Sequence, residues 1–209
     1  MFKQIYLSPL GYLVSAIQNT LAIFTRPFIV YGYYCRGTKK YLKYTRISSN
    51  AKILGARHLK IGDYCWIGHH CLIDASGGLE IGEGVQISSL NSILTHSSHI
   101  SIRLLGRNFL KTPYSERPAY SRSAVIIGDY TFIGSGAIIL PGTSIGNGCV
   151  IGAGSVVKGE IPDYSVVVGN PARKIGSVDD VDRKYIDEPG IDQSYFDPEH
   201  LHTLKVKSL

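Results

Sequence analysis

From Val125 to Val157 the chain reads VIIGDY TFIGSG AIILPG TSIGNG CVIGAG SVV, and the third residue of every block is a branched aliphatic: Ile127, Ile133, Ile139, Ile145, Ile151 and Val157. Four of them are followed by glycine, in Ile127-Gly128, Ile133-Gly134, Ile145-Gly146 and Ile151-Gly152. Two residues ahead of each aliphatic stands a small one: Thr131, Ala137, Thr143, Cys149, Ser155. A period of six fits neither a helix nor an alternating strand. It fits a short strand followed by a tight corner, with the aliphatic and the small residue both pointing inward. Glycine after the aliphatic supplies backbone conformations that a β-carbon hinders. Three such units close one triangular coil.

The same period runs upstream in three sets: Ile47, Ile53 and Leu59; Ile61, Ile67 and Ile73; Ile81, Ile87 and Ile93. Each set is displaced by two residues from the one before, which implies small insertions at corners. Cys65, Cys71, Val85 and Asn91 hold the small inward place there. The two cysteines at such places, together with Cys149, are thereby explained as compact core residues, and covalent cysteine chemistry is not expected. Asn91 reads as a buried residue hydrogen-bonded to its neighbours. One long excursion, residues 96–124, breaks the repeat after Ile93.

The rest of the composition sets bounds. The 209 residues suffice for one well-buried core, and 44% apolar with 18% charged residues is ordinary for a globular domain. The 23 glycines are too many and too regular for disorder. The net charge of +6 is polarised: residues 1–62 carry ten Lys or Arg and no Asp or Glu, while half of the sixteen acids follow Ser177. The basic residues are interleaved with Leu, Ile, Phe and Tyr rather than with a nucleic-acid-reading motif, so an anionic membrane surface is the expected partner and nucleic acid is not. Four cysteines without a CxxC pair or a His/Cys zinc spacing, and no evident cleavable leader, point to a reducing compartment, the cytoplasm.

The repeat, together with Val166-Val167-Val168-Gly169-Asn170-Pro171-Ala172-Arg173, resembles the hexapeptide-repeat acyltransferase family over residues 47–175. Within it the chain is most similar to the galactoside, maltose and surface-polysaccharide O-acetyltransferases, because the excursion interrupts the coils beside a histidine-bearing segment. The resemblance implies an all-β fold, a left-handed parallel β-helix over 47–175. Residues 1–46 would form an amino-terminal helical segment and 176–209 a tail with a short helix over 179–186. It also implies a homotrimer, acetyl-CoA as donor and no metal.

Transfer of an acyl group from a thioester to a sugar hydroxyl needs a base near neutrality, and imidazole suits it. In Ile93-Leu94-Thr95-His96-Ser97-Ser98-His99-Ile100 the family's base falls, by count, on His99, with His96 as the alternative. The resemblance places substrate contacts at His69 or His70 and in the excursion. That loop carries Arg103, Arg107, Lys111, Arg117 and Arg122 among Phe109, Tyr114 and Tyr120, against one acid, Glu116, which suits a nucleotide- or lipid-linked saccharide. For acetyl-CoA it implies Ser135, Gly136, Ala153 and Gly154 along the pantetheine arm, with Lys158, Arg173 and Lys174 at the phosphates. The backbone amide of Ser135 is the expected oxyanion donor. Competing readings are an N-acetyltransferase of a nucleotide-linked amino sugar, a zinc enzyme of the γ-carbonic-anhydrase type using His96, His99 and His69 or His70, and a non-catalytic trimeric scaffold. Ile5 to Phe24, bracketed by Pro9 and Pro27, reads as a helix of ~17 residues, marginal for crossing a bilayer and suited to capping the first coil or lying on an anionic leaflet with Lys3, Arg26, Arg36, Lys39, Lys40 and Lys43.

Overall fold

The computed structural model describes residues 26–186 without a break, and single positions at 13, 14, 16, 17, 20, 188, 190, 192, 194 and 196. The six-residue period resolves into a parallel β-helix with three faces. The first face is an eight-stranded sheet whose parallel part runs from Lys40–Ser48 through Trp66–Ile67, Gln86–Ile87, Phe132–Ile133 and Val150–Ile151 to Ser165–Gly169. The second and third faces have five strands each. Coil by coil they carry Ile53, Ile73, Ile93, Ile139 and Val157 on the second, and Ile61, Ile81, Ile127, Ile145 and Ile161 on the third.

Register follows from the buried row. Ile67 pairs with Ile87, Ile87 with Ile133, Ile133 with Ile151 and Ile151 with Val167, so each aliphatic lies on its counterpart in the next coil. A slip of one residue would turn every one of them to solvent. The small inward positions sit at the corners: Cys65, Val85, Ala137 and Ser155 are fully buried. Asn91 is buried as well, its Nδ2 donating to the Ser88 carbonyl at 2.6 Å and its Oδ1 accepting from the Ala137 N–H at 2.7 Å.

The two-residue phase shifts all fall at one corner. Ile53 to Ile61 and Ile73 to Ile81 span eight residues instead of six, and the extra pair lies between the second and third faces. There the third-face strands Leu59–Ile61 and Leu79–Ile81 bury both end residues. The excursion leaves from that same corner in the third coil, between Ser92–Ile93 and Val125–Ile127, and Val125 resumes pairing opposite Leu79.

Both edges of the first face are closed by antiparallel strands, which blunts an otherwise open ladder. At the carboxyl end Ala172–Ser177 folds back on Ser165–Gly169, and a helix, α2 (Val178–Ile186), follows α1 (His99–Leu105) of the excursion. At the amino end a hairpin of β1 (Ile29–Cys35) and β2 (Lys40–Ser48) does the same. This corrects the helical assignment of residues 1–46 over its second half: residues 29–46 lie almost wholly in strands because aromatic and β-branched residues alternate there around a basic turn. The helix expected over Ile5–Phe24, and the tail beyond 186, lie outside the described residues except for single positions.

Replacing Asn91 with Ala strands the buried Ala137 N–H and Ser88 carbonyl. We expect a loss of about 1–3 kcal/mol, read as a lower midpoint in urea with an unchanged slope.

Candidate active site

The corner that absorbs the phase shifts also carries a connected polar cluster. Asp74 ends the second-face strand of the second coil, at a place that holds Leu54, Leu94, Leu140 and Lys158 in the other coils, and its side chain is 2% exposed. One coil further on, the chain leaves the helix through Thr95 and His96. His96 Nδ1 lies 2.6 Å from Asp74 Oδ2, and Ser76 Oγ is 3.2 Å from the same nitrogen. The remaining capacity of the carboxylate is taken up by donors: the Ser76 N–H to Oδ1 at 3.0 Å, and the Thr95 N–H and hydroxyl to Oδ2 at 3.2 and 3.1 Å.

Burial alone would raise the Asp74 pKa. The hydrogen bonds from Ser76, Thr95 and His96 outweigh it and bring the carboxyl from its ordinary 3.8 down to about 2. Asp74 is therefore ionised near neutrality and can only accept, so Nδ1 of His96 carries a proton and Nε2 keeps its lone pair. The imidazole side chain is 37% exposed.

The excursion is built onto this histidine. His96–Ser97 pairs antiparallel with Ser121–Arg122, so the loop starts and closes on the residue that meets Asp74. Tyr120 lies parallel to the imidazole, centroids 5.9 Å apart and 6° between planes. Tyr114 donates its hydroxyl hydrogen to Tyr120 and packs on it at 4.4 Å. Burial, then the contact with Tyr114, pushes the Tyr120 hydroxyl up to about 12, which keeps it protonated. Arg122 stands 4.5 Å over the Tyr114 ring and Arg117 4.1 Å over Phe109. His99 opens α1 and is exposed, its Nδ1 2.6 Å from Ser97 Oγ.

Residues 124–159 match the bacterial transferase hexapeptide family (six repeats). A dTDP-4-amino-4,6-dideoxy-D-glucose acyltransferase of Escherichia coli is 31% identical over 157 residues, covering 66% of this chain and 82% of that protein. The chain belongs to the hexapeptide-repeat acyltransferases. A Mycobacterium tuberculosis protein named as an acetyltransferase is 33% identical over 120 residues, 56% of this chain and 36% of its own. An E. coli K12 protein named for O-acetyl transfer in lipopolysaccharide biosynthesis is 53% identical over 53 residues, 25% and 27% of the two chains. The chain thus spans only about a third of the length of the first curated relatives it matches. Among solved structures, a hexapeptide-repeat acetyltransferase of Vibrio cholerae complexed with acetyl-coenzyme A superposes with a TM-score of 0.52 at 25% identity, over 60% of this chain and 63% of that one. Membership in this family implies the left-handed winding.

The residues expected to serve a hexapeptide-repeat acyltransferase divide between corners. His69 and His70 stand at the corner between the first and second faces, where Ser48 Oγ lies 2.6 Å from His69 Nδ1 and Asn50 Nδ2 3.0 Å from His70 Nδ1. Further along the same corner come Ser135 with Gly136 and Ala153 with Gly154, stacked through the Gly154 N–H to the Ser135 carbonyl at 2.9 Å. His70, Leu90, Gly136 and Gly154 hold equivalent places with left-handed φ of 58°, 66°, 72° and 69°. Two of the four carry side chains, so glycine is not demanded by the backbone, and at Gly136 and Gly154 a β-carbon would meet nothing within 4 Å. The later coils therefore have a bare corner.

Arg173 and Lys174 lie on the terminal antiparallel strand of the first face, Lys158 at the His96 corner two coils on, and Arg103 exposed on α1. Among the described residues no three His, Cys, Asp or Glu side chains come together to hold a metal, because the second face separates His69 and His70 from His96. Burial pushes the Cys65 thiol to about 12 and raises Cys71 and Cys149, which disfavours a thiolate. Asp74 escaped the sequence reading. Its signal was a carboxylate where the other second-face aliphatics are followed by leucine or lysine, in Ile73-Asp74.

Because the folded-state pKa of Asp74 lies below its ordinary value, its ionised form stabilises the fold. That contribution, about 2 kcal/mol, is complete above pH ~4 and is lost as pH falls through ~2. Asp74→Asn should be less stable by about that much at neutral pH, with a flatter acid limb in pH-dependent urea unfolding.

Proposed function

We propose that this chain is an acetyl-CoA-dependent O-acetyltransferase acting on a sugar hydroxyl, in the biosynthesis of a bacterial surface polysaccharide such as O-antigen or capsule. One observation carries the reading: an imidazole whose Nδ1 is bound by a buried, ionised carboxylate and which stands, partly exposed, at the root of a basic, aromatic loop. His96 rather than His99 is the general base, since His96 has Asp74 to fix its tautomer and to stabilise the imidazolium that forms. The acceptor hydroxyl gives its proton to Nε2 as its oxygen attacks the thioester carbonyl, and collapse of the tetrahedral adduct releases the CoA thiolate, which takes that proton back. An aligned backbone amide, that of Ser135 being our candidate, stabilises the oxyanion.

The pantetheine arm follows the bare corner past Ser135, Gly136, Ala153 and Gly154, with Arg173, Lys174 and Lys158 near the phosphates. Within one chain this corner and the His96 corner are separated by the second face, so a neighbouring copy completes the site, in keeping with a homotrimer. The paired arginines and tyrosines of the excursion, with His69, His70 and Arg103, meet a nucleotide- or lipid-linked saccharide. A donor made in the cytoplasm supports a cytoplasmic enzyme. N-acetylation of a nucleotide-linked amino sugar is the second reading, favoured by the name of the relative matched over 82% of its length.

Four substitutions test the assignment in steady-state assays against sugar acceptors. His96→Ala should lower kcat by about 10²–10⁴-fold, with His99→Ala close to wild type; the reverse order would return the base to His99. Asp74→Asn, which places an amide donor opposite Nδ1, favours the wrong tautomer and should lower kcat with little effect on acceptor KM. Gly154→Asn, a residue that accepts left-handed φ, should raise the KM for acetyl-CoA about tenfold while leaving the unfolding midpoint nearly unchanged.

A further inference from the structure

The amino-terminal hairpin carries a surface that the transferase chemistry leaves unused. On its inner side Cys35, Leu42, Thr45 and Ile47 are buried, with Tyr33 packed against the core. On its outer side Tyr31, Tyr34 and Tyr41 are 74%, 56% and 66% exposed, and Tyr34 and Tyr41 face each other directly across the ladder. Phe28 and Tyr44 are exposed beside them, and Lys43 Nζ stands 5.2 Å from the Tyr44 ring. The turn adds Arg36, Lys39 and Lys40, all exposed. Among the described residues none of these cations makes an ion pair. The first carboxylate in the chain, Asp63, already accepts from the Tyr44 and Tyr64 N–H groups and the Thr45 hydroxyl.

We propose that this outer face docks on an anionic phospholipid bilayer. Tyrosine has an apolar body and a polar tip and settles at the headgroup level, where wet and apolar surroundings meet. A cation near an anionic leaflet strengthens binding about fivefold. The face combines both, and Asp63 beside it is engaged by the Tyr44 and Tyr64 N–H groups and the Thr45 hydroxyl. A second copy is a poor occupant, because pairing this face with itself would set like charges against each other. The contact is peripheral: among the described residues no helix is long and apolar enough to cross a membrane. The inference stands apart from the acyl-transfer reading, and its test keeps the two separate.

The test is flotation of the full-length chain with vesicles of equal parts phosphatidylglycerol and phosphatidylcholine, against phosphatidylcholine alone. The wild type should float with the anionic vesicles only, and high salt should release it. The combined variant Lys39→Glu, Lys40→Glu and Lys43→Glu should bind about a hundredfold more weakly. Tyr31→Ser, Tyr34→Ser and Tyr41→Ser together should bind about tenfold more weakly. Acetyl transfer to a water-soluble acceptor, measured without vesicles, should match wild type in both. A wild type that fails to float, as when the acidic carboxyl-terminal segment or another copy covers the hairpin, would overturn the proposal. So would a charge-reversed variant that floats like wild type, or one that changes oligomeric state by light scattering.

Discussion

Everything in this molecule depends on the stacking of one aliphatic side chain on its counterpart in the next coil. Ile67, Ile87, Ile133, Ile151 and Val167 form such a column on the first face, and each is fully buried. Strands this short bury little on their own, and they persist because each is clamped between two others in fixed register. The column leaves the walls no freedom in length. Variation is confined to corners, where the chain turns and side chains can face outward.

The three corners bear this constraint differently. The corner between the third and first faces is locked by side-chain oxygens that bind the backbone one coil back, as Asp129 does at Glu83, Asn147 at Asp129 and Asp163 at Asn147. The corner between the first and second faces keeps a constant length, and in its later coils it is stripped to glycine, serine and alanine. Only the corner between the second and third faces changes length, by two residues in the first two coils and by the whole excursion in the third. A functional side chain that must leave the wall has room there. Asp74 and His96 occupy that corner in successive coils, close enough in the ladder for the carboxylate of one to hold the imidazole of the other.

The sequence made the coil legible because the period of six is written in side chains whose burial is compulsory: an isoleucine that must lie inside cannot be misplaced by more than a residue. The excursion and the small inward cysteines followed from the same count. The amino-terminal hairpin did not, since Ile29–Ser48 has no six-residue period and its apolar and aromatic content reads as readily as a helix. The histidine pair was legible as a pair and no further. Sequence distance from Ile81 favoured His99, whereas our proposal of His96 rests on a carboxylate twenty-two residues before it, which adjoins it only because a coil here is twenty residues long. Contacts between coils are long-range in sequence, and only a correct count of the corner insertions would have placed Asp74 beside His96.

That dependence explains why the dyad and the excursion belong together. A buried carboxylate at Asp74 is costly unless donors satisfy it, and an unpaired charge there would unfold the corner. Ser76 and Thr95 supply backbone and hydroxyl donors, and His96 supplies the last. His96 in turn is held in place by the ladder with Ser121–Arg122 and by the ring of Tyr120, both from the far end of the excursion. The loop therefore needs no core of its own. Its two ends are tied to the imidazole, the imidazole to the carboxylate and the carboxylate to the coil, so whatever the arginines and tyrosines bind is held in register with the nitrogen that would do the chemistry.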